Sequence, residues 1–400
     1  MQKRRQAASS AGTGHREALA KKFGVDTETY ACAKEVDDLA PNAAGNSVAL
    51  IHVDGTGFGQ IFKRLSDELR GRAELADIRR KLSDIVSDVT RCAAKQAVTW
   101  LTEQVGENAG TDGNGARVLP LRPVVLGGDD MTAFVGARYA LGFTLTFLHS
   151  FAAKSERRLV ALRGEVAECL NKAPKEVHRI IPARLAAGAG MAIVHKKYPA
   201  LLALDLAEEL TSAAKKPVRD CTEPPCTLAF HRLGNGGVAD YETIRAQELT
   251  ATVDNQTHRL TLCPYTVGPG GEGLSLPDVA ALAELDRAAR DLPAGPRREL
   301  LALAHGDATW ANQRFQRLLD VAAGDPADDE AKAETAKEAV EAFAAAHAAL
   351  TGQPAPNLEN GAWPRFWPQQ SDTETPANAW ADIAALRAID SVEPPVETKE

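Results

Sequence analysis

The chain has 400 residues, with 46 Lys+Arg against 54 Asp+Glu and a formal net charge of −8 at pH 7. Hydrophobic residues make up 44% and charged residues 25%; these are the proportions of a soluble globular protein with room for two or three domains, which excludes a wholly disordered, collagen-like or rod-like chain. No run reaches the roughly 18 apolar residues of a membrane span, the basic N-terminus lacks the apolar core of a secretory signal, and the negative total does not suit a protein that coats nucleic acid by bulk charge.

Residues 1–45 show no core-forming periodicity and read as a flexible, partly helical arm, whose lysines between Lys3 and Lys22 are a solvated tail or, as the sharper idea, an RNA contact. Ser47–Asp54, SVALIHVD, is a short apolar run that ends in GTGFG, a buried strand followed by a tight turn. Helical spacing follows from Phe58 to Val105, then a polar, glycine-rich loop to Gly115. In LPLRPVVLGGDDMTAFVG, residues 119–136, two β-prone runs flank Gly127, Gly128, Asp129 and Asp130, a hairpin signature. A long helix is predicted from Tyr139 to about Leu170, a strand over Leu185–His195, a helix over Pro199–Lys216, a strand over Thr227–Arg232 and a hairpin between Gln247 and Val267. From Pro277 the chain is Ala-rich and helical, with breaks near 292–296 and 324–326, an irregular stretch at 352–377 and a frayed end. This order predicts an α+β fold, an antiparallel or mixed sheet with helices on one face, followed by a helical C-terminal domain.

Asp54 closes one strand, and Asp129 and Asp130 sit in the turn of the next hairpin. If the strands are neighbours, three carboxylates converge at one edge of the sheet. Two unit charges about 4 Å apart cost roughly 4 kcal/mol at an effective dielectric of 20, so the cluster takes up protons or a divalent cation. Hard oxygen ligands on a turn suit Mg²⁺ or Mn²⁺. Glycines beside the acids let the backbone approach a triphosphate, and two metals there could activate a ribose hydroxyl and neutralise an α-phosphate.

A GGDD hairpin preceded by a strand ending in Asp-Gly-x-Gly resembles the palm domain of GGDEF-type cyclases. It resembles still more the second palm of the large polymerase subunit of type III CRISPR complexes. Residues 187–216 (AGAGMAIVHKKYPALLALDLAEELTSAAKK), 226–234 (CTLAFHRLG) and 260–267 (LTLCPYTV) are similar to later segments of that family, so the likeness spans roughly residues 46–320. It implies a ferredoxin-like βαββαβ palm over 46–235, a β-rich connector over 236–275 and a helical domain over 276–400. It also implies that Asp54 and Asp129, with Asp130 beside them, are catalytic metal ligands, that the Gly55 carbonyl completes the shell, and that Lys215 touches nucleotide phosphates. Gly55, Gly57, Phe58, Gly127 and Gly128 would line the nucleotide. The implied reaction joins nucleoside triphosphates, ATP favoured, into a cyclic oligonucleotide that signals viral infection; the rival reading is a non-catalytic palm that scaffolds nucleotide or RNA in a CRISPR-type effector.

The chain departs from these patterns. Phe58 is followed by Gly59, Gln60, Ile61 and Phe62, without the Asn that reads guanine in diguanylate cyclases, and no His-Asp dipeptide occurs. The segment before the palm is too short for another palm. A lone palm holds one triphosphate, so a homodimer or a partner palm is expected.

The remaining candidates have plainer readings. Cys32, Cys92, Cys169, Cys221, Cys226 and Cys263 are scattered, as reduced cytoplasmic thiols are; the loose Cys221–Cys226 spacing with Cys263 and His231 reads as ordinary thiols rather than zinc. His52 reads as a packed core histidine. His195-Lys196-Lys197 is either a phosphate contact or a solvated strand end. Trp310, Trp363, Trp367 and Trp380 are expected to pack helices.

Overall fold

The structure, a computed structural model, describes residues 13–40, 46–106, 110–113, 115–173, 175–234, 240–253, 256–271, 274–292, 308–323, 330–356, 363–368 and 377–388. The start of the expected arm, most of the expected Pro/Gly breaks and the chain's last ten residues lie outside them. The fold is mixed α/β and divides into two compact units, one of Met1–Val238, Thr266–Leu274 and Ile389–Glu400, the other of Ala239–Tyr265 and Ser275–Ala388.

In the first unit, α1 (Thr13–Phe23) and β1 (Tyr30–Cys32) precede β2 (Ser47–Thr56), α2 (Phe58–Glu68), α3 (Leu75–Val105) and β3 (Arg117–Leu119). The hairpin β4 (Leu121–Gly127) and β5 (Asp130–Gly136) leads into α4 (Ala137–Leu170), β6 (Ala186–His195), α5 (Ala200–Lys215) and β7 (Cys226–Arg232). The main sheet runs β10-β7-β6-β2-β5-β4, where β10 is Tyr265–Val267. β2 pairs antiparallel with both β5 and β6, β4 pairs antiparallel with β5, and β6 pairs parallel with β7. Pro123 lies on the edge strand β4 at a register shift, where a missing N–H costs least.

Helices cover both faces of this sheet, not the one face expected. Gly188 on β6 stands opposite Thr227 on β7, and a Cβ at Gly188 would strike the Lys215 side chain of α5. The next residue back, Cys226, points to the other face, where its Sγ meets the Leu148 carbonyl oxygen of α4 at 3.8 Å. The signal was in the strand itself: in β2, Val48 to Val53 are all buried, an unbroken run where one-sided burial would alternate. On the α4 face, α3 packs along α4, and Gly142 leaves room for the Trp100 ring. Phe143, Phe147 and Phe151 are fully buried there, each worth about 1.5–3 kcal/mol of apolar burial. The opposite face is closed by α5, which rides on the small residues of β6. A Cβ at Gly190 would fall on the Ala207 carbonyl oxygen and 2.5 Å from the Thr211 nitrogen.

The expected flexible arm also differs. Its α1 is anchored by Ala20 and the fully buried Phe23, and Lys22 Nζ donates to the Leu126 carbonyl oxygen of the edge strand at 2.5 Å. With three apolar anchors, Leu19, Ala20 and Phe23, and no repeating stripe, the segment has no periodicity to announce its docking.

The second unit holds α6 (Tyr241–Gln247), the hairpin β8 (Thr250–Val253) and β9 (Gln256–Arg259), then α7 (Val279–Asp291), α8 (Ala308–Ala323), α9 (Glu330–Leu350) and α10 (Trp380–Arg387). The expected connector is thus not a separate piece. Its 239–265 part belongs with the helices because residue 259 bridges to Ala377 and the Ala381 N–H donates to the Leu260 carbonyl. Trp367 and Trp380 are buried among Phe315, Phe343, Phe366 and His347, as helix packing requires, whereas Trp310 is 48% exposed. Asp382 is buried and accepts from Thr261 Oγ1 at 2.7 Å, the Leu262 N–H at 2.9 Å and Tyr265 Oη at 2.6 Å. Burial pushes its carboxyl up to about 6 and pushes the fully buried His347 down to about 4.

Two predictions follow from this packing. Gly190→Ala is expected to destabilise the first unit by about 1–3 kcal/mol or more, because the added methyl meets backbone rather than a movable side chain; an unchanged urea midpoint would contradict the close approach of α5. In the second unit two titrations oppose each other. The raised Asp382 carboxyl gives stability that is full below about pH 4 and lost as pH rises to about 6; the depressed His347 gives stability that is full above its ordinary 6.5 and lost as pH falls to about 4. Asp382→Asn is expected to leave His347 unopposed, so that stability drops by about 3 kcal/mol from pH 6.5 to 4 while the wild type stays flat. Tryptophan fluorescence in urea reads this, since four of the five tryptophans lie in this unit; parallel profiles for the two proteins would contradict it.

Candidate metal and nucleotide site

The site forms where β2, β5 and β6 end together. Antiparallel partners point to the same face, and the register sets His52 opposite both Thr132 and Gly190, and Asp54 opposite Gly188. The β4–β5 loop has two residues, Gly128 and Asp129, and Gly128 takes φ 61°, the positive φ that favours glycine at the first loop position. This brings Asp129 and Asp130 back beside Asp54. One carboxylate oxygen from each of Asp54, Asp129 and Asp130 lies within 4.8 Å of the other two, and all three residues are half-buried. Among the described residues no other group of three potential ligands gathers; Cys221, Cys226, Cys263 and His231 form no such group, and no disulfide joins any cysteine.

Gly55 is required by this geometry. A Cβ there would strike the Phe58 ring and lie 2.7 Å from Asp129 Oδ2. Gly57 caps α2 with φ 76°, turning the chain so that the helix N-terminus follows the acids by one residue of loop. Lys215 Nζ donates to Asp54 Oδ2 at 2.6 Å, with the lysine 24% and the aspartate 35% exposed. His52 is buried, with Nδ1 2.9 Å from Thr132 Oγ1, and its carbonyl accepts from Thr211 Oγ1 at 3.0 Å.

A cavity of about 970 Å³ opens over the acid-bearing face, lined by Asp54, Asp130, Gly127 and His52 from the sheet, by Glu208, Thr211 and Lys215 of α5 with Arg219 beyond it, and by His15, Leu19 and Lys22 of α1. Gly57, the N-terminal turn of α2, Arg64 and Arg184 line a second cavity of about 30 Å³, which Arg219 also borders. Sequence reasoning missed Glu208, Arg219, Arg64, Arg184 and the α1 residues. The one available signal was Arg219, four residues after Lys215. Gly55, Phe58, Gly128 and Asp129 are outside the large cavity's lining, as is Gly57, which lines the smaller one. His195-Lys196-Lys197 lies elsewhere: the register pairs Ser47 with His195 and Asp54 with Gly188, which puts this segment about 24 Å from the acids. There Lys196 and Lys197 pair with Asp37 at 3.5 and 2.8 Å, as a solvated strand end does.

The donor set fits a divalent cation: three carboxylates on two strand ends and a turn, hard oxygen ligands that could hold an ion such as Mg²⁺ or Mn²⁺. The chain matches no protein-family model, and no curated protein is detectably similar to it. No helix among the described residues is long and apolar enough to cross a membrane.

Lys215 and a cation compete for Asp54. Gly188→Ala places a methyl against the flexible stem of Lys215, overlapping Cγ and 3.0 Å from Cδ. The variant is expected to fold normally and to bind Mn²⁺ about two- to fivefold more tightly in calorimetric titration, because the lysine is pushed off the carboxylate. Weaker Mn²⁺ binding, or none in either protein, would contradict this arrangement.

Proposed function

We propose that the first unit is a ferredoxin-like palm acting as a metal-dependent nucleotidyltransferase, which joins nucleoside triphosphates, ATP favoured, into a cyclic oligonucleotide signal of CRISPR-type antiviral defence. Support for the palm comes from strand order. β2, β4, β5 and β6 stand as β6-β2-β5-β4 with every neighbour antiparallel, with helices between β2 and β4 and between β5 and β6. The observation that carries the chemistry is the convergence of Asp54, Asp129 and Asp130 beside Lys215 at the mouth of a nucleotide-sized cavity. ATP as substrate and the defence role rest on the resemblance to the type III CRISPR palm.

Asp54, Asp129 and Asp130, with the Gly55 carbonyl, would hold Mg²⁺ or Mn²⁺, which supplies activation of a ribose hydroxyl and neutralisation of phosphoryl charge. Lys215 swings from Asp54 to the phosphates as the nucleotide arrives, and Arg219 extends the cationic wall toward the β- and γ-phosphates. The N-terminal turn of α2 lines the adjoining small cavity that Arg219 also borders, where its N–H groups would suit an anion. A 3′-oxygen bonds to the α-phosphorus, the bond to the bridging oxygen breaks, pyrophosphate leaves and the hydroxyl proton passes to water. The rival reading, a non-catalytic palm, is favoured by one observation: the Lys215–Asp54 pair neutralises one acid without any cation.

Purified protein with Mn²⁺ and each labelled triphosphate is expected to release pyrophosphate, and Asp129→Ala to reduce that release by roughly 100-fold or more. Nucleotide binding without turnover in the wild type would favour the non-catalytic palm.

A further inference from the structure

The helix α1 lies outside the strand–helix order of the palm, yet it forms one wall of the large cavity. His15, Leu19 and Lys22 follow at i, i+4 and i+7, one face of the helix, and all three line the cavity that holds Asp54 and Asp130. The helix is fixed in place: Phe23 and Ala20 are buried, Lys22 caps the Leu126 carbonyl of the edge strand, and Gly24, at φ 87°, turns the chain against Lys95. A lysine ammonium has three donors, so the bond to Leu126 leaves two for a ligand.

The cavity therefore has two cationic walls with the acids between them. Lys215 and Arg219 stand over the β6–β2 side, where Lys215 packs on Gly188 and pairs with Asp54. His15 and Lys22 stand at the β4 edge. The Lys215 ammonium lies on Asp54 of β2, and one strand, β5, separates β2 from β4, so at about 4.8 Å per strand spacing the Lys215 and Lys22 ammonium groups are about 10 Å apart. The two cations thus stand on opposite sides of the cavity, and its volume of about 970 Å³ is at the upper end for a single small ligand. A second anionic ligand satisfies the second wall.

We propose that the cavity holds two nucleotides in a single chain: the donor triphosphate on the Lys215–Arg219 wall, and an acceptor nucleotide on the α1 wall, with the phosphates of the acceptor on Lys22 and His15 and its 3′-hydroxyl directed at the acids. α1 then does the work that a partner palm would otherwise do. The acceptor's 3′-oxygen bonds to the donor's α-phosphorus, the bond to pyrophosphate breaks, and the proton goes to water. This inference rests on the nucleotidyltransferase reading and adds to it the position of the second substrate.

The test uses the full chain with Mg²⁺ and α,β-methylene-ATP, in which attack at the α-phosphorus cannot expel pyrophosphate. Calorimetry is expected to count two nucleotides per chain in the wild type. Lys22→Glu and His15→Glu are expected to leave one, with its Kd within about twofold of wild type. His15→Glu leaves the Leu126 contact intact, so it tests the wall even if Lys22→Glu loosens α1; thermal melts check both. With ATP, the rate of pyrophosphate release is expected to rise with the first power of protein concentration. One nucleotide per chain, insensitive to both variants, or a rate rising with the square of concentration, overturns the two-nucleotide cavity while leaving the transferase reading intact. No nucleotide bound and no turnover overturns both.

Discussion

The constraint on which the first unit turns is the mutual repulsion of Asp54, Asp129 and Asp130. Oxygens within 4.8 Å of one another repel by about 3–4 kcal/mol per ionised pair at an effective dielectric of 20. Such a cluster is relieved by protonation, by solvent or by a group of opposite charge, bound or built in. Lys215 is built in, 2.6 Å from Asp54, but with all four groups ionised the sum is still −2, which one divalent cation would neutralise. The sheet end thus could hold a divalent cation with a lysine in attendance, and the strand register that aligns Asp54 with Gly188 is what makes the attendance possible.

That register explains why β6 is made of such small residues. Ala186-Ala187-Gly188-Ala189-Gly190 gives α5 a nearly smooth floor. Gly190 lets the helix backbone sit on the strand, and Gly188, one pleat nearer the acids, leaves the channel through which the Lys215 stem passes. A side chain at Gly190 would lift the α5 backbone, and one at Gly188 would push the Lys215 stem aside and its ammonium off Asp54. Packing and electrostatics are here one requirement met by two glycines.

Much of this was legible in the sequence because it is local. SVALIHVD, the GGDD turn and the helix over 200–215 each announce themselves by composition or spacing, and the hairpin brings Asp129 and Asp130 together through one glycine. What was not legible depends on partners far along the chain. The two-sided cover of the sheet was hinted at by the unbroken run in β2, yet the identity of the second cover, α5, is a matter of topology. The docking of α1 rests on Leu19, Ala20 and Phe23, too few residues to show a period. The assignment of 239–265 to the helical unit rests on backbone bonds to residues 377–381. Glu208 was invisible as a site residue until α5 was placed over the acids, and Arg219 was signalled only by its spacing from Lys215.

The Lys215–Asp54 pair gives the site a built-in order of events. While the pair is closed, one ligand oxygen of the cluster is occupied by an ammonium and the site presents less negative charge. A cation alone must displace the lysine into a cavity whose same wall already carries Arg219, where a second positive charge is unwelcome. On the nucleotidyltransferase reading proposed above, a cation arriving with a triphosphate meets no such penalty, because the phosphates receive the lysine as the carboxylate releases it. On that reading metal and nucleotide favour each other's binding through one side chain, and the coupling is reciprocal by linkage. On the nucleotidyltransferase reading, the lysine weakens metal binding in the absence of substrate, and the exchange that admits the cation brings Lys215 to the phosphates.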